Sequence, residues 1–273
     1  MTNQFKLCLN IDNVKVKPPL ELCPGWDTAE IPIYELLLPY DSDDVWEQKL
    51  KEIQSWNQPP FAATSHWLWD ERITGKNTTD FEELERQAEL ACRRMAQINC
   101  EVAGVWGNFF EVSDEASRTK ETDKALKYCE MVAKYTGRYG VLIALEPTAN
   151  HNTVFPKYTD GLDFVKKLNQ PSIRVMADLN YFIAIDEPFE DIALEPDYCL
   201  HVHIQGDTYQ PNYGNHDQKI LKIFRVLRDI GYLRSVSSAH PWIATDGGEF
   251  NYRVESEKTL KYLQKLREQV YSE

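Results

Sequence analysis

Three short apolar runs in the second half of the sequence each lead into a side chain that can bind a divalent cation. Glu146 follows Val141–Leu145, Asp178 follows Ser172–Ala177, and His203 follows Cys199–Val202. The three polar residues lie 32 and 25 residues apart, and each interval is about the length of one strand–helix–strand unit. The strands of an α/β barrel all open onto one face, so residues at their C-terminal ends converge. Two carboxylates and an imidazole meeting there would suit a divalent metal.

The same alternation of apolar runs and helical segments extends over the whole chain. We predict eight strands, at Phe5–Ile11, Thr28–Leu36, Phe61–His66, Glu101–Trp106, Val141–Glu146, Ser172–Asp178, Cys199–Gln205 and Leu233–Ala239. Most are nearly continuous apolar runs, which is typical of parallel strands covered on both faces. The pattern predicts an α/β fold, and we interpret residues 1–273 as one domain, a single (β/α)8 TIM barrel. A doubly wound sheet is the alternative.

Helical periodicity occupies most of the intervals between these strands. Predicted helices cover Val45–Trp56, Phe81–Ile98, Thr119–Gly137, Thr159–Leu168, Gln218–Ile230 and Val254–Val270, with a short one near Glu187–Leu194. We expect Thr79 to cap the helix that begins at Phe81, because a hydroxyl side chain satisfies free N–H groups at a helix start.

Charge and cysteine usage exclude several classes of function. The net charge of −13 repels a phosphate backbone, so we expect no nucleic-acid partner. The apolar runs fall far short of the ~18 residues that a bilayer crossing needs, so we expect no membrane partner. The six cysteines form no Cys-x-x-Cys pair and no signal peptide is recognised, which indicates reduced thiols in a cytoplasmic protein. No glycine-rich phosphate loop is present.

Five short motifs, taken in order, resemble those of the xylose-isomerase-like TIM-barrel superfamily, which includes sugar isomerases, sugar epimerases and endonuclease-IV-like proteins. They are Trp69-Asp-Glu-Arg-Ile-Thr-Gly75, Leu145-Glu-Pro147, Val175-Met-Ala-Asp178, His201-Val-His-Ile204 and Gly231-Tyr232. The resemblance covers nearly the whole chain. It implies one divalent metal ion (Mn, Mg, Co or Zn) held by a strand-end Glu, Asp, His and final Glu. Family members are often dimers or tetramers, so it also allows a homo-oligomer.

In that family the first and last carboxylates move the proton of an enediol-type isomerisation or epimerisation. Glu146, Asp178 and His203 match the first three ligand positions. The fourth departs, because Ala239 stands where the family has its final Glu, and His240 or Asp246 is left to replace it. Two substrate positions depart as well: Tyr181 stands in place of a family His, and Tyr209-Gln210 in place of a family Arg.

The predicted site therefore has a metal-binding centre and a surrounding substrate shell. Catalytic roles go to Glu146 and His240, and metal binding to Glu146, Asp178, His203 and His240. Candidate substrate contacts at strand ends and loops are His66, Trp67, Trp106, Asn108, His151, Tyr181, Tyr209 and Trp242. Aromatic faces at such positions suit the apolar faces of a sugar, although ordinary loop packing is the alternative for each tryptophan.

Some assignments stay open at the level of the sequence. His201 lies on the same side of its strand as His203, so either could be the ligand; we prefer His203 because it is nearer the strand end, which leaves His201 to support it. His240 could instead bind substrate or be structural. Glu30, a carboxylate inside an apolar strand, has no assigned role. A phosphate group would need arginine or lysine in the strand-end loops. Arg72 and Lys76, in the strand-three loop, are the nearest such residues, and we therefore expect an unphosphorylated substrate.

These observations favour a metal-dependent sugar isomerase or epimerase that acts on a small keto-sugar through an enediolate. A keto-sugar lyase or dehydratase is the first alternative, since β-elimination needs one base and not a second carboxylate. A barrel that has lost its acid/base pair and only binds carbohydrate is the second. DNA repair is disfavoured. The endonuclease-IV-like proteins that the chain resembles gather three zinc ions with many His, Asp and Glu ligands on a basic face, whereas this chain has six histidines and a net charge of −13.

Overall fold

Eight parallel strands close into one barrel in which every strand pairs with its sequence neighbours and β8 pairs with β1. The computed structural model describes residues 4–11, 23–56, 60–65, 71–214, 216–238 and 242–273. The strands are β1 Lys6–Asn10, β2 Thr28–Pro32, β3 Ala63–Ser65, β4 Val102–Trp106, β5 Leu142–Glu146, β6 Ile173–Asp178, β7 Cys199–Ile204 and β8 Ser235–Ser238. The predicted (β/α)8 barrel is confirmed, and the doubly wound alternative is wrong because the sheet is closed.

Helices surround the barrel between successive strands. Within the described ranges they are α1 Ile33–Leu36, α2 Asp43–Gln54, α3 Phe81–Gln97, α4 Arg118–Tyr139, α5 Tyr158–Leu168, α6 Leu179–Ala184, α7 Asp217–Asp229 and α8 Tyr252–Ser272. Short 3-10 turns occur at Gly107–Phe109, Glu115–Ser117, Phe189–Leu194 and Pro196–Tyr198. No helix in these ranges combines the length and the apolar character needed to cross a membrane.

Three local predictions are wrong, each for a local chemical reason. The second strand ends at Pro32 and not at Leu36, because proline has no N–H to continue the ladder, and Ile33–Leu36 turns into helix. Asp80, not Thr79, caps α3, since its side chain accepts a hydrogen bond from the Glu82 N–H. The segment after β6 forms α6 at once, and the predicted short helix near Glu187–Leu194 is a 3-10 turn.

Two apolar clusters separate the inside of the barrel from its outer layer. The larger one fills the space between strands and helices. The smaller one draws all its members from strands and forms an apolar floor inside the barrel: Ala63, Val102, Ala144, Met176 and Leu200. All six cysteines are buried free thiols. Ala144 and Met176 lie two residues before Glu146 and Asp178 on the same strands, so the floor lies directly below these strand ends.

A bulge in β7 decides which of its side chains face inward. Val175 pairs with Cys199 but Met176 pairs with His201, so Leu200 is an extra residue in the ladder. Leu200 belongs to the interior cluster, and strict alternation from it would send His201 and His203 outward. Both histidines instead contact Glu30 inside the barrel. The bulge therefore delivers both imidazoles to the interior.

The segment that follows β2 and α1 is held by a buried arginine. The Arg94 side chain is fully buried and donates to the backbone carbonyls of Leu37, Leu38 and Asp41. Replacing it removes the donors to three carbonyl groups of one loop.

We expect Arg94→Met to lower the free energy of unfolding by about 2–4 kcal/mol, because it leaves buried acceptors without donors. Arg93→Met is the matched control: Arg93 also bonds to Asp43, but its side chain is 33% exposed, so its loss should change stability by at most about 1 kcal/mol. Urea unfolding of both variants measures the difference, and equal midpoints would contradict the role given to Arg94.

Candidate metal centre

The three sequence-predicted ligands lie together at the C-terminal mouth of the barrel. His203 Nδ1 is 3.4 Å from Glu146 Oε1 and 3.8 Å from Asp178 Oδ2. One ligand atom from each of the three residues lies within 4.8 Å of the others. Ligand atoms about 2.0–2.2 Å from one ion lie at most about 4.4 Å apart, so these two distances fit a shared cation.

Asp178 is oriented by the helix that begins directly after it. Its Oδ1 accepts hydrogen bonds from the backbone N–H groups of Asn180 and Tyr181, at 2.8 and 3.3 Å. This leaves Oδ2 facing His203. The carboxylate thus caps α6 with one oxygen and presents the other to the centre.

His203 is held from below by a carboxylate on β2. Its Nε2 lies 3.1 and 3.2 Å from the two carboxylate oxygens of Glu30, whose side chain is 1% exposed. His201 Nε2 contacts the same Glu30 at 2.8 Å and the Ser237 hydroxyl at 2.9 Å. The imidazole of His203 therefore lies between Glu30 on one side and the Glu146–Asp178 pair on the other.

Burial and mutual charge shift the pKa values of these groups. Burial and the nearby charge of Glu146 raise the pKa of Asp178 to about 7, against the opposing effect of His203. Burial disfavours the charged form of His203, but the carboxylates of Glu30 and Glu146 outweigh it and raise the His203 pKa well above its usual range. Burial also opposes ionisation of Glu30, yet His203 and His201 hold its pKa well below normal.

The site fits a divalent cation on the evidence of its own electrostatics. Two carboxylates and one imidazole nitrogen converge in a buried space, where Asp178 keeps a proton until about neutral pH. A cation placed between them would replace that proton and pair both carboxylates. Oxygen and nitrogen donors of this kind suit Mn, Mg, Co or Zn.

Buried polar atoms without partners adjoin the centre. Asn10 is fully buried and pairs in register with Glu30. The nitrogen and the oxygen of its side-chain amide have no hydrogen-bond partner among the described residues. The side-chain oxygen of Asn180 is also buried and without a hydrogen-bond partner among these residues. Unpaired buried amide groups are unfavourable, so a polar ligand or water is expected to satisfy them.

Trp106 and Tyr181 form one wall of the site. Trp106 pairs in register with Glu146, and its indole N–H donates to the Tyr181 hydroxyl oxygen at 3.2 Å. Burial and the charges of Glu146 and Asp178 raise the pKa of Tyr181, which keeps its hydroxyl protonated. With its oxygen accepting from Trp106, that hydroxyl has its proton available for donation.

Asn108 binds the loops that follow β4 and β5 to each other. Its side-chain oxygen accepts from Asn150 Nδ2 at 2.8 Å and from Thr148 Oγ1 at 3.2 Å. Its carbonyl accepts from the Arg72 guanidinium at 2.8 Å, so Arg72 is engaged in holding this loop. These contacts indicate that Asn108 positions the two loops relative to each other.

The remaining predicted residues make contacts with other residues or lie outside the described part. Trp242 donates to the Asn10 carbonyl at 3.3 Å. Tyr209 stacks edge-on against Tyr213. His151 is exposed and lines an open cavity of about 710 Å³ between α4 and α5. Asp246 is exposed and bonds to Lys258. His66, Trp67, Ala239 and His240 are not among the described residues.

Two residues of the site received no role from the sequence. Glu30 was visible only as a charge within an apolar strand, and its two histidine partners lie 171 and 173 residues away. Asn10 ends β1 and carries no distinguishing pattern. Only the closure of the barrel brings these residues to the same place.

Comparisons with known proteins place this geometry in a family. A family model described as "Xylose isomerase-like TIM barrel" matches residues 24–265. The chain belongs to that family. Its members are thus the natural reference for the three strand-end ligands. No curated protein matches the chain significantly.

Solved structures of family members match over almost the full length. The 3-keto-D-glucoside 4-epimerase from E. coli is 18% identical, with 97% of this chain and 100% of that chain covered and a TM-score of 0.75. D-psicose 3-epimerase from Clostridium cellulolyticum H10, solved with D-tagatose, is 18% identical, with 96% and 99% covered and a TM-score of 0.77. The IolI protein, solved with a zinc atom, is 17% identical, with 98% of each chain covered and a TM-score of 0.72. At this identity the likeness concerns the fold.

The close approach of β4 to Glu146 yields a test of the local packing. A Cβ at Gly107 would collide with the backbone oxygen of Glu146, whereas a Cβ at Gly137 on α4 meets nothing within 4 Å. We expect Gly107→Ala to lower the free energy of unfolding by about 1–3 kcal/mol. Gly137→Ala should raise it by up to about 1 kcal/mol, since alanine favours helix. Urea unfolding measures both, and a Gly107→Ala protein as stable as the wild type would contradict the tight packing.

Proposed function

We propose that this protein is a divalent-metal-dependent isomerase or epimerase of a small, unphosphorylated keto-sugar. The observation that carries the proposal is the convergence of Glu146, Asp178 and His203 at the barrel mouth. The side chains of Glu146, His203 and Asp178 are 13%, 11% and 6% exposed, so all three are largely buried. The sugar epimerases among the structural neighbours support the same reaction class.

Glu146, Asp178 and His203 would hold the metal, through one carboxylate oxygen from each acid and Nδ1 of the imidazole. The bound ion would supply Lewis acidity, polarising a sugar carbonyl and making the neighbouring C–H more acidic. The protein would supply a buried, oriented ligand set, since both Asp178 and His203 are fixed by hydrogen bonds on the side away from the centre.

Glu146 is the proposed general base. Its carboxylate takes the proton from the carbon next to the carbonyl, and the C–H electrons form the enediol double bond. If the proton returns to the former carbonyl carbon on the same face, and the α-hydroxyl proton passes to the former carbonyl oxygen, the result is aldose–ketose isomerisation, which needs no base on the opposite face. Epimerisation needs a group on the opposite face, a role for which the sequence offers His240.

Polar and aromatic side chains around the centre would bind the sugar. Tyr181, with its oxygen bonded to Trp106, would donate its hydroxyl proton to a substrate oxygen. The side-chain amide of Asn10, which has no partner among the described residues, would exchange hydrogen bonds with a substrate hydroxyl. The ring of Trp106 would pack against the apolar face of the sugar.

A lyase that removes a leaving group from a keto-sugar is the second candidate. The observation that favours it is Ala239, which stands where the family has its second catalytic carboxylate. β-Elimination uses one base to take the proton, and the electrons then expel the group on the next carbon. A barrel that binds sugar without turning it over would retain the metal and lack both reactions.

The metal site is tested by zinc titration of the purified protein in a calorimeter. We expect one ion per chain, and at least about a hundredfold weaker binding by Asp178→Asn, which removes a charged ligand. Asp246→Asn is the matched control, because Asp246 is an exposed carboxylate bonded to Lys258 and should leave the affinity unchanged. Equal losses in both variants would point to a general charge effect and contradict the assignment.

The same titration should depend on pH. Asp178 has a pKa of about 7 in the metal-free protein, so the ion must displace its proton at lower pH. Affinity should therefore rise by about tenfold or more between pH 6 and pH 8, with protons released on binding. An affinity that is flat across this range would contradict the participation of Asp178.

The reaction is tested by NMR with ketoses and 3-keto-glucosides in D2O. The wild type should place deuterium at the carbon next to the carbonyl, and Glu146→Gln should slow this by about a thousandfold. Glu249→Gln, an exposed glutamate in the loop after β8, is the control and should retain the wild-type rate.

The products separate the candidates. In H2O, conversion without change of mass indicates isomerisation or epimerisation, and loss of a leaving group indicates the lyase. Sugar binding by the zinc-loaded protein without any exchange of the carbon proton would show the binding-only barrel.

A further inference from the structure

The ring of His203 has two nitrogens, and the structure separates their surroundings. Nε2 lies 3.1 and 3.2 Å from the two oxygens of Glu30, and Nδ1 lies 3.4 Å from Glu146 and 3.8 Å from Asp178. A neutral imidazole carries a single N–H, and an ionised carboxylate can only accept hydrogen bonds. If the N–H is on Nε2, it donates to Glu30 and leaves the Nδ1 lone pair directed at the mouth.

We propose that Glu30 is the positioning residue of the metal centre: it holds the proton of His203 on Nε2, so that Nδ1 is available to the metal. The inference rests on the proposed function for the presence of the metal. It adds a role for a residue that makes no contact with metal or substrate in the proposed scheme. A carboxylate behind a ligating histidine fixes the ring and makes its other nitrogen more basic.

The surroundings of Glu30 hold its carboxylate in one orientation. Its Oε2 is also 2.8 Å from His201 Nε2, which in turn is 2.9 Å from the Ser237 hydroxyl. The side chain is 1% exposed and lies on β2, whose backbone pairs with β1 and β3. An acceptor held this firmly in the barrel wall can set the direction of the ring.

A second cation between Glu30, His201 and His203 is the competing explanation, because their donor atoms also lie within 4.8 Å of one another. Hydrogen bonds already join these atoms at 2.8–3.2 Å, and all three residues are buried. An ion there would have to displace the protons of both imidazoles. We therefore assign this lower cluster to hydrogen bonding, with His203 shared between it and the metal.

The first test measures the wild type and uses one variant only to assign the signal. Long-range ¹H–¹⁵N NMR of the ¹⁵N-histidine-labelled, zinc-free wild type, at a pH where the ring is neutral, shows which nitrogen carries the proton. The spectrum of His203→Gln identifies the signal. We expect the proton on Nε2, and the same nitrogen should keep it after zinc is added. A proton on Nδ1 of the zinc-free protein would overturn the proposal.

The second test removes the carboxylate. A glutamine offers one acceptor and one donor to two imidazoles, so in Glu30→Gln His203 should populate both tautomers and zinc affinity should fall about 10–100-fold. Glu30→Asp, which keeps the charge, should bind zinc more tightly than Glu30→Gln. Ser237→Ala is the matched control, because it removes a partner of His201 and leaves the contacts of His203 intact.

The outcomes separate this proposal from the proposed function. A wild type that binds no zinc contradicts the metal-dependent function, while the tautomer of the zinc-free protein still decides the role of Glu30. Glu30→Gln that binds zinc as tightly as the wild type overturns the positioning role. The proposal is also overturned if the wild type binds two zinc ions per chain and Glu30→Gln binds only one, since Glu30 would then be a metal ligand itself.

Discussion

The structure depends on the balance of charge inside the barrel. Glu30, Glu146 and Asp178 are three buried or nearly buried carboxylates, and His201 and His203 are the imidazoles that face them. An unpaired charge in such a place is strongly unfavourable, so each group is stable only because of the others. The apolar floor beneath offers these charges no hydrogen-bond partner. Any ligand that enters the mouth therefore meets groups whose protonation is already coupled.

His203 divides this cluster into a lower half joined by hydrogen bonds and an upper half with longer separations. Below the ring the contacts to Glu30 have hydrogen-bond lengths, and above it the distances to Glu146 and Asp178 are longer. The backbone N–H groups at the start of α6 fix Asp178 from outside. The carboxylate of Asp178 and the imidazole of His203 are thus oriented by contacts on their far sides, and a binding site oriented in this way needs less reorganisation when a ligand arrives.

The sequence predicted the barrel and the convergence of Glu146, Asp178 and His203, because each of these residues ends an apolar run and the runs recur at strand–helix–strand intervals. It did not predict the partners of Glu30, because pairing across 171 residues depends on how the barrel closes and not on any local pattern. The smaller errors have local chemical causes. Pro32 ends a strand that hydrophobicity alone would extend to Leu36. Asp178 both ends β6 and caps α6, so the sequence pattern of a strand end concealed the start of that helix. Asn10 shows no signal in sequence because its burial is created by neighbouring strands.

The one-residue bulge in β7 has a consequence for how relatives of this protein are compared. Leu200 shifts the phase of the strand, so the direction of His201 and His203 depends on the number of residues before them as well as on their identity. A homologue that lost this single position could retain both histidines and still direct them to the helical layer. A sequence alignment without a gap in β7 would then place an inward-facing residue of one protein opposite an outward-facing residue of the other.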